Sequence, residues 1–395
     1  LKIALIVEWL DAWRGGAETS SQQFAHHLRD AGVHVTVFTR SRLSPAPGLE
    51  VYTISGASMS RMRRSMTFAR RAARAARRQA FDIVHAISPC PGADIYQPRG
   101  GTVAETVERN LALQAAPALR SLKRVANVLN FKQRYLLRME RAMMREPDGP
   151  IVVAISDYVV RQLEHHYQLP ASRVVKIYNG VDPDPASDAQ RAVHRSRVRR
   201  EFGIDEQELL VLVVAHNFRL KGVARWMEAL SILQQRGGGV RSLVVGRGAT
   251  AAWHRRADRL GIGQSLTFVG PSDRVPMLRH AADVIVHPTY YDPCSRVVLE
   301  GMAAGLPCIT TRWDGSAEMI DEGVSGFVLD DPSDVRGLAD RVDRLRPADT
   351  RLAMGQAARG VAERISMARH AAEMIALYER VVREKAGEPQ AGRAS

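Results

Sequence analysis

Short runs of Val, Ile and Leu recur along this chain and alternate with longer amphipathic stretches, and that alternation leaves few folds open. A strand that is apolar on both faces must be covered on both faces, which requires a parallel sheet flanked by helices. The pattern begins with a strand at Lys2–Val7, a loop, a helix from Ala17 to Ala31 and a strand at Val33–Thr39, which is a βαβ unit. Further strands are predicted at Leu49–Ser55, Asp82–Ala86, Asp94–Gln97, Ile151–Ser156 and Val174–Tyr178. After Gly180 comes Val-Asp-Pro-Asp-Pro-Ala-Ser-Asp, a polar, proline-rich stretch that suits an interdomain linker, with the boundary near Pro183. The alternation then restarts, with strands predicted at Leu209–Ala215, Ser242–Val245, Leu266–Val269, Asp283–His287, Cys308–Thr311 and Gly326–Leu329. Residues from Ser333 to Lys385 read as helices and those from Gly387 onward as a frayed tail.

The expected fold class is therefore α/β, with two Rossmann-like doubly wound domains. A chain of 395 residues exceeds what a single core usually organises. The domains are expected at 1–182 and 183–370. Residues 371–395 are expected to form a C-terminal helix, packing back toward the N-terminal domain, and a tail.

Composition narrows the function classes. No apolar run reaches the roughly 18 residues that a membrane-spanning helix needs. The apolar start Leu1–Val7 is too short for a signal peptide, so a cytoplasmic protein is expected. Cys90, Cys294 and Cys308 lack the spacings of zinc or disulfide frameworks and read as reduced packing residues. The net charge of +14 is concentrated, because residues 51–145 hold 18 Lys and Arg against 5 Asp and Glu. Such a patch suits nucleic acid, an anionic membrane surface or an acidic substrate.

The chemistry-bearing segment runs from Asp283 to Gly305. A buried strand leads into His287-Pro288-Thr289-Tyr290-Tyr291-Asp292-Pro293-Cys294-Ser295, and then into a helix from Arg296. A helix start offers unpaired N–H groups and the positive end of a dipole, where a diphosphate binds well. Asp292 precedes that start and Glu300 lies within the helix. Two carboxylates so placed can accept hydrogen bonds from hydroxyls at two ends of one ligand, as a sugar and a ribose would offer.

These residues resemble the GT-B glycosyltransferases of family 4, whose signature is Glu, seven residues, Glu, followed by an Ala-x-Ala-x-Gly-x-Pro helix end. Here it reads Asp292-x7-Glu300, then Gly301-Met302-Ala303-Ala304-Gly305-Leu306-Pro307. Asp replaces the first Glu, Gly301 the first Ala, and Cys294-Ser295 the usual Phe-Gly. The resemblance implies two Rossmann-like domains with an interdomain cleft, residue 292 facing the donor sugar, and Glu300 facing the ribose. Pro293, Cys294, Ser295, Arg296 and Val297 would lie along the same donor site. The segment Phe218-Arg219-Leu220-Lys221-Gly222 implies Arg219 and Lys221 as the cations that stabilise the departing phosphate. Gly15-Gly16 matches the family's Gly-Gly loop, which lets backbone approach the donor. Gly246 and Gly270 follow two further C-domain strands, and Ser156 with Asn179-Gly180-Val181-Asp182 matches the boundary pattern. Within the family the nearest likeness is to lipopolysaccharide core glucosyltransferases that act on heptose, carried by Pro91-Gly92-Ala93-Asp94-Ile95-Tyr96 and Ala104-Glu105. Many members carry a His after that strand, where this chain has Arg99-Gly100-Gly101, so Asp94 and Arg99 become the acceptor-side candidates.

The resemblance implies a retaining transfer from a nucleotide sugar, with a UDP-sugar favoured, to a saccharide or glycolipid acceptor of the cell envelope. Catalysis would fall to Arg219, Lys221 and Asp292. No convincing metal set and no Asp-x-Asp motif of the kind that other glycosyltransferases use to hold a divalent ion stands out, so no metal and no cofactor are expected. Arginines at 61, 63, 64, 70, 71, 74, 77 and 78 within 60–79, and the basic stretch 119–145, would lie on an anionic bilayer with apolar side chains down. The enzyme would then sit at the inner face of the cytoplasmic membrane. No nucleic-acid-binding fold accompanies the charge. A GT-B nucleotide-sugar epimerase and a basic membrane-surface protein without catalysis are the rival readings.

Overall fold

The computed structural model describes residues 1–11, 15–41, 49–54, 61–113, 130–248 and 250–387, without the side chains of 61, 62, 64 and 65. The chain divides into two compact units, one of Leu1–Gly180 with Met367–Ser395 and the other of Val181–Ser366. The division falls at the start of the proline-rich stretch on the way out and after Ser366 on the way back.

The first unit carries β1 (Lys2–Ile6), α1 (Gly16–Asp30), β2 (His34–Thr39), β3 (Glu50–Thr53), α2 (Arg61–Arg77), β4 (Ile83–Ala86) and β5 (Ile95–Tyr96). It continues with α3 (Val103–Ala112), α4 (Phe131–Arg145), β6 (Ile151–Ala154), α5 (Asp157–Tyr167) and β7 (Val174–Lys176). Its seven strands run β3-β2-β1-β4-β5-β6-β7, with parallel ladders throughout. Successive side chains of a strand point to opposite faces, so β1 feeds two cores. Ile3 and Leu5 pack on one face with Phe24 and Leu28 of α1, and Ala4 and Ile6 on the other with Phe68, Ala72 and Ala76 of α2. The C-terminal helix, Met367–Lys385, completes the first face with Met374, Leu377 and Tyr378.

That packing corrects one expectation. The apolar stripe of α2 is buried in the protein core through Phe68, Ala69, Ala72, Ala73 and Ala76, so it is not available to a bilayer. Arg63, Arg70, Arg71, Arg74, Arg77 and Arg78 remain exposed. The second basic stretch lies within the described residues only from 130. There α4 buries Met139, Glu140, Met143 and Met144 and exposes Lys132, Arg138, Arg141 and Arg145. No helix among the described residues is long and apolar enough to cross a membrane.

The second unit carries α6 (Asp188–Glu201), β8 (Leu209–Val214), α7 (Val223–Gln235), β9 (Val240–Val245), α8 (Ala251–Arg259), β10 (Leu266–Gly270), α9 (Val275–Ala281) and β11 (Val284–Val286). It ends with α10 (Arg296–Ala303), β12 (Cys308–Thr311), β13 (Gly326–Leu329), α11 (Val335–Asp343) and α12 (Ala348–Glu363). Its parallel sheet has the order β10-β9-β8-β11-β12-β13. Trp226, Leu230 and Leu233 of α7 pack with Val211, Val213 and Val244 in its core. In both units the strand order reverses next to the first strand, between β1 and β4 and between β8 and β11. Loops leaving the carboxyl ends of strands diverge at such a point and open a crevice for a ligand.

Gly301 shows how closely α10 sits on the sheet. A Cβ built there would lie 2.7 Å from Ile285 Cγ1 and 2.9 Å from Cys308 Sγ. The family alanine has no room here, because helix and strands are in contact through the position itself. Gly301→Ala gains about 1 kcal/mol of helix propensity but incurs an overpacking penalty of about 1–3 kcal/mol. The variant is expected to be neutral to about 2 kcal/mol less stable, measured by urea unfolding, despite the better helix former.

Candidate functional site

Two loops meet at the β8/β11 reversal. The first, His216–Gly222, is a tight turn in which Asn217 Oδ1 accepts from Leu220 N–H (3.2 Å) and the Asn217 carbonyl accepts from Lys221 N–H (2.9 Å). Phe218 is buried beneath it and stacks on Phe268, which anchors the turn. The turn ends at Gly222, whose φ of +67° is a left-handed conformation. A Cβ there would fall 1.9 Å from the Pro288 carbonyl oxygen, so the two loops press together where only glycine fits.

The second loop follows β11. Tyr290 N–H donates to the Leu220 carbonyl at 2.9 Å, and Thr311 Oγ1 donates to the Thr289 carbonyl at 2.6 Å. Asp292 N–H donates to the Trp313 carbonyl and Gly315 N–H to that of Asp292, both at 2.9 Å. These backbone bonds hold Asp292 against the first loop. Lys221 Nζ donates to Asp292 Oδ2 at 2.6 Å and to the Tyr291 carbonyl at 3.0 Å. The pair is mostly shielded from water, with side-chain exposures of 18% and 15%. His287 Nε2 lies 3.2 Å from the same carboxylate oxygen.

Burial by itself would raise the Asp292 carboxyl. The Lys221 ammonium and the His287 hydrogen bond outweigh it and hold the carboxyl well below the usual carboxylate range. Asp314 is buried behind it and shifts the other way, raised first by burial and then by the negative charge of Asp292. Asp314 organises the helix start. Its Oδ1 accepts from Ser295 N–H (3.0 Å) and Ser316 N–H (2.9 Å), and its Oδ2 from Thr310 Oγ1 (2.7 Å). Ser295 caps α10, its Oγ accepting from Val298 N–H at 3.4 Å.

Within α10, Glu300 is held between two arginines. Arg296 Nε and NH2 donate to Oε1 at 3.0 and 2.6 Å, and Arg279 NH1 donates to Oε2 at 2.9 Å. A carboxylate accepts about four hydrogen bonds, so one acceptor position remains for a ligand hydroxyl. The sequence-predicted residues Lys221, Asp292, Pro293, Cys294, Ser295, Arg296, Val297 and Glu300 are thus brought together by the second unit. Arg219 is exposed in the first loop; its carbonyl accepts from Gly222 N–H at 3.3 Å, and its guanidinium makes no hydrogen bond or ion pair with described residues. Gly246, at φ +133°, closes on the Ala215 carbonyl, where a Cβ would fall at 1.8 Å, and its N–H donates to the Gly270 carbonyl. Cys294 is buried and its thiol is raised by that burial.

Three residues of this cluster, His287, Asp314 and Arg279, did not stand out in the sequence. Each is far along the chain from Lys221; parallel strands deliver His287 and Asp314 to one edge, and Arg279 reaches Glu300 from α9. The His-Pro pair directly after a predicted strand was the available signal for His287.

In the first unit, the carboxyl ends of β1 and β4 and the segment 100–103 surround a cleft of about 490 Å³, lined among others by Glu8, Trp9, Glu18, Ser88 and Lys132. Gly15 and Gly16 start α1, next to lining residues Ala17 and Glu18. Arg99 is buried below, with Nε donating to Gln97 Oε1 (2.8 Å), NH1 to Ser20 Oγ (2.5 Å) and NH2 3.0 Å from His370 Nε2. Asp94 stands at the opposite edge of the sheet, before β5. Its carboxylate accepts from Val84 N–H (2.7 Å) and pairs with Lys385 (2.6 Å), which ties strand starts together. The structure does not bring Asp94 and Arg99 to one place. Glu108, His165 and His166, none of them marked by spacing, offer ligand atoms within 4.8 Å of one another. His166 is already engaged there by Glu105 at 2.7 Å.

Comparison with known proteins agrees with the two-unit division. Residues 14–185 match the glycosyltransferase family 4 profile and residues 194–361 the profile of glycosyl transferases group 1. The lipopolysaccharide glucosyltransferase WaaG of Escherichia coli K12 is 27% identical over 323 residues, covering 80% of this chain and 82% of WaaG. A D-inositol 3-phosphate glycosyltransferase of Corynebacterium jeikeium is 30% identical over 248 residues, 59% of this chain and 58% of its own. The crystal structure of WaaG superposes with a TM-score of 0.79 at 24% identity, covering 95% of this chain and 99% of that one. HepE of Anabaena, solved with UDP and glucose, superposes at 0.70 and 17% identity, covering 96% and 100%. These superpositions establish the fold, two Rossmann-like units of the GT-B class. With both halves matched in order, and with the helix-start and Lys-Gly elements standing at the strand-order reversal, the chain belongs to the glycosyltransferases, with a family 4 N-terminal half and a group 1 C-terminal half.

Proposed function

We propose that this glycosyltransferase is a retaining, metal-independent enzyme that moves a sugar from a UDP-linked donor to a saccharide or glycolipid acceptor of the cell envelope. The observation that carries the proposal is the grouping of Lys221, Asp292 and the α10 start on two interlocked loops at the β8/β11 reversal. The helix start offers backbone N–H groups to a diphosphate, and Lys221 with Arg219 offers cations to the charge that builds on the departing phosphate. Those protein cations take the part that a divalent ion has in other transferases. Glu300 keeps an acceptor position for the ribose, and Asp292 stands where the sugar hydroxyls would come. Retention follows from attack by the acceptor on the face that the phosphate leaves, the phosphate itself taking the acceptor proton. UDP and glucose are favoured by the likeness to WaaG and HepE.

The cleft of the first unit suits a saccharide acceptor. Trp9 offers an aromatic face, Glu8 and Glu18 accept from hydroxyls, and Lys132 suits an anionic substituent. The exposed arginines of α2 and the basic side chains of α4 would hold the enzyme to an anionic lipid surface, at the inner face of the cytoplasmic membrane. With the apolar face of α2 used by the core, that attraction would be electrostatic and weakened by salt.

Three outcomes are expected. Purified enzyme with UDP-glucose and an envelope glycolipid should give a glycosylated acceptor and UDP in the presence of EDTA. Conversion of the nucleotide sugar without acceptor would identify an epimerase instead. Lys221→Ala should lower kcat by about 10²–10³-fold, in line with loss of one preset transition-state donor, and Glu300→Ala should mainly raise KM for the donor.

The Lys221–Asp292 pair also predicts a pH dependence. A carboxyl held low in the folded state adds stability that is complete above its unfolded value of about 4 and is lost as pH falls toward the folded value. The difference in melting temperature between wild type and Lys221→Met should be full at neutral pH and begin to close below about pH 4. Sedimentation with anionic vesicles should fall when Arg70, Arg71 and Arg74 are replaced by Glu, and binding to neutral vesicles should be absent.

A further inference from the structure

The environment of Asp292 contains a group that the donor site does not otherwise use. His287 directly follows β11 with its backbone fixed on both sides, its N–H donating to the Ile309 carbonyl at 2.8 Å and its carbonyl accepting from Thr310 Oγ1 at 3.0 Å. The residue is 1% exposed. Its ring makes one hydrogen bond among the described residues, Nε2 to Asp292 Oδ2 at 3.2 Å, and Nδ1 is buried without a partner. An ionised carboxylate can only accept, so Nε2 carries a proton. A rigid polar ring buried with one of its nitrogens unsatisfied costs stability. Its single engagement is with the carboxylate that also holds Lys221.

Lys221 uses two of its three N–H donors inside the protein, on Asp292 Oδ2 and on the Tyr291 carbonyl. A diphosphate brought to this ammonium competes with a carboxylate at 2.6 Å for the same charge. If the lysine turned to the phosphate and nothing replaced it, Asp292 would be left as a shielded anion next to Asp314, and such a carboxylate takes up a proton. The titratable groups facing Asp292 are Lys221, with His216 beyond it, from the loop after β8; His287 directly after β11; Cys294, whose backbone N–H also donates to Asp292 Oδ1 at 3.3 Å, from the same loop; and Asp314 from the loop after β12. Of these, His287 alone is a second side-chain donor already on the oxygen that Lys221 would release.

We propose that donor binding transfers Lys221 from Asp292 to the diphosphate, and that His287, as a positioning residue, holds the released carboxylate ionised through its Nε2–H. Lys221 has a long flexible stem and can turn, whereas His287 is fixed by its strand and can only wait. The exchange turns a closed ion pair into a cation directed at the leaving group. It keeps Asp292 charged and in place for the sugar hydroxyls. No net proton is taken up by the protein in the exchange. This rests on the reading that Lys221 meets the donor diphosphate.

The test is the pH dependence of UDP affinity, measured by calorimetry in buffers of differing ionisation enthalpy. Protonation of the UDP terminal phosphate is common to every variant and cancels in comparison. His287→Gln retains an N–H near the position of Nε2 and should follow the wild type. His287→Leu removes the donor, so Asp292 should take up as much as one extra proton per UDP bound. UDP affinity of that variant should then fall, relative to wild type, by up to about tenfold per unit rise in pH. Adding Asp292→Asn to His287→Leu should abolish the extra proton. A purely structural histidine would shift affinity or melting temperature in His287→Leu without changing the proton count.

Equal proton uptake by wild type and His287→Leu, with UDP bound by both, overturns the exchange and leaves the donor-site reading intact. UDP affinity that is unchanged in Lys221→Ala overturns both. Should His287→Leu not fold, imidazole ¹⁵N and ¹H shifts of the wild type decide the matter. The Nε2 proton should move downfield on saturation with UDP as the bond to Asp292 strengthens, and an unchanged resonance overturns the exchange.

Discussion

The contact between Lys221 and Asp292 ties two loops across the point where the second sheet reverses its strand order. Neither charge could sit so far from water without the other, because removing an ion from water costs several kcal/mol unless a partner compensates it. Much of the local structure serves that contact. Gly222 lets the first loop lie against Pro288, Phe218 anchors it from below, and backbone bonds from Trp313 and Gly315 pin the second loop. Gly301 lets α10 sit directly on β11 and β12, which sets where the helix start points. The geometry of the charged site is thus a consequence of close packing among atoms that carry no charge.

The first unit handles buried polarity differently. Arg99 is buried among neutral acceptors, Gln97 and Ser20, with the Phe24 ring 4.7 Å away, and adjacent His370 is pushed well below its ordinary value, first by burial and then by Arg99. Glu140 lies buried on α4 and accepts from Tyr96 Oη, Tyr167 Oη and Val103 N–H. It is raised, mainly by burial. These networks bind α3, α4 and α5 to the strand ends that surround the cleft. Of these helices α4 is strongly basic on the outside. Interior hydrogen bonds hold α4, and its surface arginines contribute little to holding it.

How much was legible in the sequence differs by level. Strand positions were, since a buried parallel strand must be apolar along its length, and the structure moves their ends by one or two residues. The helix start after β11 and the pairing of Asp292 with Glu300 in one loop-helix segment were legible from spacing alone. The face that α2 buries was not. An amphipathic helix announces that it has an apolar side and not whether protein or lipid will cover it, and here Phe68 and four alanines meet β1 and β2. Asp94 was legible as a carboxylate beside a predicted strand, yet only strand direction shows it at the amino edge, paired with Lys385 and distant in the fold from the crevice side.

By itself the sequence determined two parallel α/β units, a phosphate-suited helix start and the residue types able to grip a nucleotide sugar, because periodicity and local spacing are properties of neighbours along the chain. Tertiary structure alone decided that Lys221 and Asp292, seventy-one positions apart, share a hydrogen-bonded ion pair at 2.6 Å, and that His287 and Asp314 stand behind them. Parallel strands deliver residues from distant segments to one edge. Which side chains then touch depends on loop closure and on where a missing Cβ permits backbone to approach.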